Sequence, residues 1–165
     1  YMRNSIVFTI LLIVSTVVEL SIINTFGYPI FLFPLTLSIG VLMLHMLPIT
    51  FGIMWLLLSP MLLSMLGAES MNIIPYILVV IVGTALTMRV FTRRSVYALI
   101  GLGIILISTF TFTSGILGID IFSGHPYLKS LGYIIFEMTI LLIIGFILIQ
   151  RFRPVGSLFK IPRKT

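Results

Sequence analysis

Residues 30–66 read IFLFPLTLSIGVLMLHMLPITFGIMWLLLSPMLLSML, 37 positions without one Asp, Glu, Lys or Arg. A single helix of that length would reach about 55 Å at about 1.5 Å per residue, nearly twice the roughly 30 Å hydrocarbon core of a bilayer. The stretch must therefore fold back. Its one polar, helix-breaking place near the middle is His45-Met46-Leu47-Pro48, which predicts two helices, about Ile30 to Met46 and Ile49 to Leu66. A re-entrant pair or one long tilted helix are the alternatives, and either lowers the chain's count of crossings to five.

Working outward, the same apolar character continues on both sides. Of 165 residues, 59% are hydrophobic and 8% charged, with a mean hydropathy of +1.27, against roughly 25% charged in an ordinary soluble domain. Before the hairpin, Ile6 to Phe26 makes a first span, entered after Met2-Arg3-Asn4 and stopped by Gly27-Tyr28-Pro29. No A-x-A cleavage pattern follows it, so it reads as a permanent helix rather than a signal peptide. After the hairpin, the polar Gly67 to Asn72 leads into Ile73 to Phe91, then Val96 to Leu117, a loop from Ile119 to Lys129, and Ser130 to Ile149. Barrel strands would alternate apolar and polar positions, and these runs do not. The expected fold is an all-α polytopic membrane bundle of about six transmembrane helices over residues 1–150, with a basic cytoplasmic tail at 151–165.

The basic residues set the orientation. With the N-terminus inside, Arg3, Arg89, Arg93, Arg94, Arg151, Arg153, Lys160, Arg163 and Lys164 fall on one side and Lys129 on the other, a strong positive-inside bias. Both termini are then cytoplasmic, in a protein of the plasma (inner) membrane. The net charge of +6 sits at the ends of apolar blocks, where it meets anionic headgroups rather than nucleic acid. Arg89, Arg93 and Arg94, together with Arg151, Arg153, Lys160, Arg163 and Lys164 of the tail, are the candidates for lipid or partner contact.

Inside the spans, Glu19 and Glu137 need a reason, because an intramembrane carboxyl is costly. Each lies about seven residues from the outer end of its helix, roughly 10 Å deep. Ser15 and Thr16 precede Glu19 by one turn on the same side. One reading is a proton or cation site shared by the two acids; the other is hydrogen-bonded packing against a neighbouring helix or partner. Absence of cysteine removes disulfides, thiolate metal sites and thiol nucleophiles. His45 and His125 fall on opposite faces, each expected at an interface, which argues against a metal centre. No catalytic constellation or cofactor motif is present. Pro34 and Pro60 are expected to kink their helices and could shape a cavity.

The stretch Phe91-Thr92-Arg93-Arg94-Ser95-Val96-Tyr97-Ala98-Leu99 and the Pro-containing second span, Phe33-Pro34-Leu35, give the chain a resemblance to the rod-shape-determining MreD family, especially its small divergent members. The likeness in layout covers nearly the whole chain. It implies a six-helix bundle similar to the substrate-binding subunits of energy-coupling-factor vitamin transporters, and a non-catalytic partner role in the complex that organises peptidoglycan synthesis. Ser59-Pro60-Met61-Leu62-Leu63-Ser64 departs from the family's Gly-Leu-Leu-Leu-Asp run, so the role of that acid does not carry over to Ser64. The expected function is thus a membrane scaffold subunit that contacts other membrane proteins. A small-molecule-binding transporter subunit and an accessory subunit of a respiratory or energy-converting complex are the alternatives.

Overall fold

A computed structural model describes residues 2–21, 35–66, 73–91, 95–118 and 126–151, with side chains from Ile6 onward in the first segment. Among these residues the protein is all-helical: α1 (Met2–Ser21), α2 (Leu35–Met46), α3 (Ile49–Met65), α4 (Ile74–Arg89), α5 (Val96–Ile116) and α6 (Tyr127–Arg151). Several sequence candidates, among them Pro34, Glu69, Arg93, Arg94, Asp120, His125, Arg153, Lys160, Arg163 and Lys164, lie outside the described residues.

The break in residues 30–66 falls at the predicted place. Helix α2 ends at Met46, Pro48 takes an extended backbone (φ −55°, ψ 133°) ahead of the first residue of α3, and α3 starts at Ile49. Proline suits this position because a residue at a helix start needs no N–H partner. The two helices then lie against each other. A Cβ on Gly52 would meet Leu44 Cα at 2.5 Å, and one on Gly40 would collide with the Leu56 side chain. Both pairs are symmetric about Pro48, which defines an antiparallel hairpin, and at position 52 only glycine allows backbones so close.

Other boundaries shift by a few residues. Helix α4 stops at Arg89 rather than Phe91, with Pro75 in its first turn. Ser95 starts α5, its Oγ accepting the Ala98 N–H at 3.1 Å, an N-cap that ends the preceding connection. Helix α6 begins three residues before the expected Ser130 and ends two after Ile149, because Lys129, Gln150 and Arg151 are good helix formers that an apolar window leaves out. By length and apolarity, α5 and α6 can each cross a membrane, whereas α2, α3, α4 and the part of α1 from Ile6 are apolar but shorter.

Helix α2 is the hub. It packs against all five others, while α1–α3, α3–α4, α4–α5 and α5–α6 are neighbours around it. No described residue of α2 is exposed. One apolar cluster joins Leu37, Val41 and Leu44 of α2 to Leu56, Val79, Leu102, Leu106, Met138 and Leu142. A second seats α1, with Phe8 and Leu12 against Met43 and Trp55, the Phe8 ring meeting the Trp55 indole edge-on at 5.6 Å.

Candidate functional site

On α1 the buried positions are Phe8, Leu12, Ser15, Thr16 and Glu19, a spacing of three and four that keeps them on one face. That face turns polar toward its end. Ser15 and Thr16 satisfy their hydroxyls on their own helix, donating to the Leu12 carbonyl at 3.0 and 2.7 Å. Glu19 reaches across to α2, where its Oε2 accepts the backbone N–H of Thr36 at 2.7 Å. Thr36 is the second residue of α2, so its N–H is one of the four that a helix leaves without an internal partner. The Glu19 carboxyl is therefore an N-terminal cap supplied by a different helix, and the dipole of α2 favours its charge.

Two further helices meet at the same residue. The Thr36 carbonyl accepts the indole Nε1–H of Trp55, on α3, at 2.8 Å. From α4, Tyr76 brings its buried phenol beside Glu19 and the Thr36 side chain, and its ring packs edge-on against Phe110 of α5 at 5.0 Å. Because Tyr76 lies near the start of α4 and Phe110 toward the end of α5, these two helices run antiparallel. The buried polar side chains of α5, Thr111, Thr113 and Ser114, thus fall at the Glu19 end of the bundle. So do Thr36 and Ser38 of α2, Ser59 of α3 and Ser130 at the start of α6, whereas His45 and the enclosed hydroxyls of Thr84 and Thr87 lie toward the other end. Most of the buried polar side chains are thus gathered at the Glu19 end of the bundle.

The sequence candidates divide accordingly. Glu19 is at the centre of the polar end, and Ser15 and Thr16 share its face. Glu137 is half-buried on α6, one of its carboxyl oxygens enclosed and without a hydrogen-bond partner. No hydrogen bond joins the two acids: Glu19 engages Thr36 and Tyr76, the enclosed oxygen of Glu137 has no hydrogen-bond partner, and α6 packs mainly on α5 and α2 while α1 packs mainly on α2 and α3. His45, expected at an interface, turns its ring inward and is 4% exposed, since every face of α2 is covered by another helix. Arg89 and Arg151 are exposed final residues of α4 and α6, at the helix ends that favour a cation. Pro60 stays within α3, beside a shallow recess of about 250 Å³ lined by Pro60, Met61, Ser64, Met65 and Ile73. Among the described residues no group of three His, Asp or Glu side chains could hold a metal.

Thr36, Trp55 and Tyr76 escaped the sequence reading. Trp55 carried a signal, because it is the single tryptophan and a buried indole N–H usually finds a partner. Thr36 carried none, since its part is played by its backbone. No protein-family model, no curated protein and no solved structure matches the chain.

Proposed function

We propose that the chain is a non-catalytic integral membrane subunit, crossing the bilayer about six times with both ends in the cytoplasm, that acts as a scaffold for other membrane proteins. The polarity of α1 carries this reading. Its exposed side chains include Ile6, Val7, Ile10, Leu11, Ile13, Val14 and Val17, while Ser15, Thr16 and Glu19 are buried. That order is the reverse of a helix on a water-soluble protein. Exposed Ile77, Ile81, Ile104, Phe112, Phe136, Ile140 and Ile144 extend the apolar exterior over α4, α5 and α6, far beyond the patch a soluble monomer carries.

A scaffold role is supported by how the buried polar groups are used. Glu19 caps α2, Trp55 clamps Thr36, and the hydroxyls of Ser15, Thr16, Thr111 and Thr113 bond back to their own helices. These bonds hold helices in place. The resemblance to the MreD family names the complex, that of cell-wall elongation and cell-shape control. A mild-detergent pull-down of the tagged protein tests it: cell-wall elongation proteins are the expected companions, and recovery of an ATP-driven transport module or of respiratory subunits would overturn the scaffold reading. The polar interior around Glu19 favours a second reading, a small-molecule-binding subunit of a transporter, and the transport module is the companion it expects.

A further inference from the structure

We infer that α6 presents a docking seam for a transmembrane helix of a partner protein, a helix that carries a Lys or Arg at the depth of Glu137. The inference rests on the scaffold reading and names the chemistry of what the scaffold holds. The seam lies in the α6 residues that the bundle leaves uncovered. Tyr133, Ile140, Ile144 and Ile147 are exposed and Glu137 is half-buried, so from Tyr133 the positions advance by four, three, four and three. That is the spacing along which two helices mesh in a coiled-coil seam. It is distinct from the stripe of Ser130, Ile134, Met138, Leu142 and Phe146 that α6 buries within its own bundle.

Packing places the seam where the bundle ends. Around α2 the helices α1, α3, α4, α5 and α6 follow one another as neighbours, and α1 and α6 are the two ends of that series. A Cβ on Gly145 would meet Leu42 of α2, and one on Gly103 of α5 would meet Leu142. At about 100° per residue, Glu137 then falls on the side of the α2 contact away from α5, where the series stops. Charge selects the occupant. The enclosed oxygen of Glu137 has no hydrogen-bond partner among the described residues, and a carboxyl at membrane depth calls for an opposite charge. Every Lys and Arg of this chain lies in a terminal turn of a helix or outside the described helices, and His45 is buried. Lys129, the nearest base along α6, is eight residues away, about 12 Å shallower. A second copy sits in the bilayer the same way up, so it brings its bases to those same levels and would set Glu137 against Glu137. A different chain must therefore supply the cation, and a base within a span is itself costly unless it meets such an acid.

A photoreactive amino acid placed singly at Ile140 or Ile144 of the full-length protein in its native membrane tests the seam, with exposed Ile81 of α4 as the control across the bundle. Both seam positions should give an adduct of one and the same protein, absent at Ile81, and that protein should carry a Lys or Arg within an apolar span. Glu137→Leu, and leucine in place of the partner's base, should each lower recovery of the pair about tenfold. Glu137→Lys combined with glutamate in place of that base should restore it. The Glu137→Leu protein alone should unfold no more easily than wild type, because the change deletes an unpartnered oxygen, which separates lost docking from lost folding. Lipid adducts alone at Ile140 and Ile144, an adduct with a second copy of this chain, a partner without a base in its span, or recovery indifferent to Glu137→Leu would each overturn the seam. Partners in the pull-down with lipid alone at the seam would sink this inference and leave the scaffold reading standing; no partner by either route would sink both.

Discussion

Replacing Glu19 by leucine is the sharpest test of how the bundle is held at its polar end. The substitution keeps bulk and removes the acceptor that Thr36 N–H reaches at 2.7 Å. Thr36 is fully buried, so its N–H gains no water in exchange, and an orphaned buried donor costs roughly 1–3 kcal/mol. The leucine itself gives back part of this, since a side chain 9% exposed no longer has to be stripped of water as a carboxyl. The net expectation is a loss of about 1–3 kcal/mol, with Glu19→Gln, which retains an amide oxygen, losing about 1 kcal/mol or less. Unfolding in mixed detergent micelles followed by Trp55 fluorescence measures both, because the indole is bonded to the same Thr36. Equal stability of the leucine variant and the wild type, or a glutamine variant as weak as the leucine one, would refute the capping role.

Three further outcomes rest on the same packing. Gly52→Ala forces a Cβ into the Leu44 backbone, so α2 and α3 must separate, and a loss of about 1–3 kcal/mol in the same unfolding assay is expected; an unchanged midpoint would contradict the close hairpin. Glu137→Leu removes a carboxyl oxygen that is buried without a partner, and should leave the isolated protein as stable or more stable while reducing recovery of partners in the pull-down if that acid is an intersubunit contact. Single cysteines can be read cleanly because the chain has none: at Val14 and Ile140 they should resist a membrane-impermeant maleimide even in opened membranes, whereas at Arg89 and Arg151 they should react only once the cytoplasmic side is accessible. Labelling of Arg89→Cys in intact cells would invert the proposed orientation.

How much of this was legible in the amino-acid order depends on the range of the forces involved. Residues 30–66 had to fold back, and Pro48 was the place, because a missing N–H and a fixed φ act on their own neighbours. The apolar runs gave the helices for the same reason, and they missed the ends of α6 only where helix-forming polar residues extend it. The shared face of Ser15, Thr16 and Glu19 followed from helical period alone. Tertiary structure decided what that face meets. Nothing local in Thr36 marks it, yet its N–H, its carbonyl and its side chain receive contacts from α1, α3 and α4, because burying α2 on every side exposes its first turn to three neighbours at once. It also decided that Glu19 bonds to Thr36 and not to Glu137, since similar depth along two helices says nothing of which side chains meet. Composition and period specify how a segment coils and which face it turns inward. Which polar groups then share an interior is set by how helices pack around α2, and that depends on pairings such as Gly52 with Leu44 that appear only when distant residues are brought together.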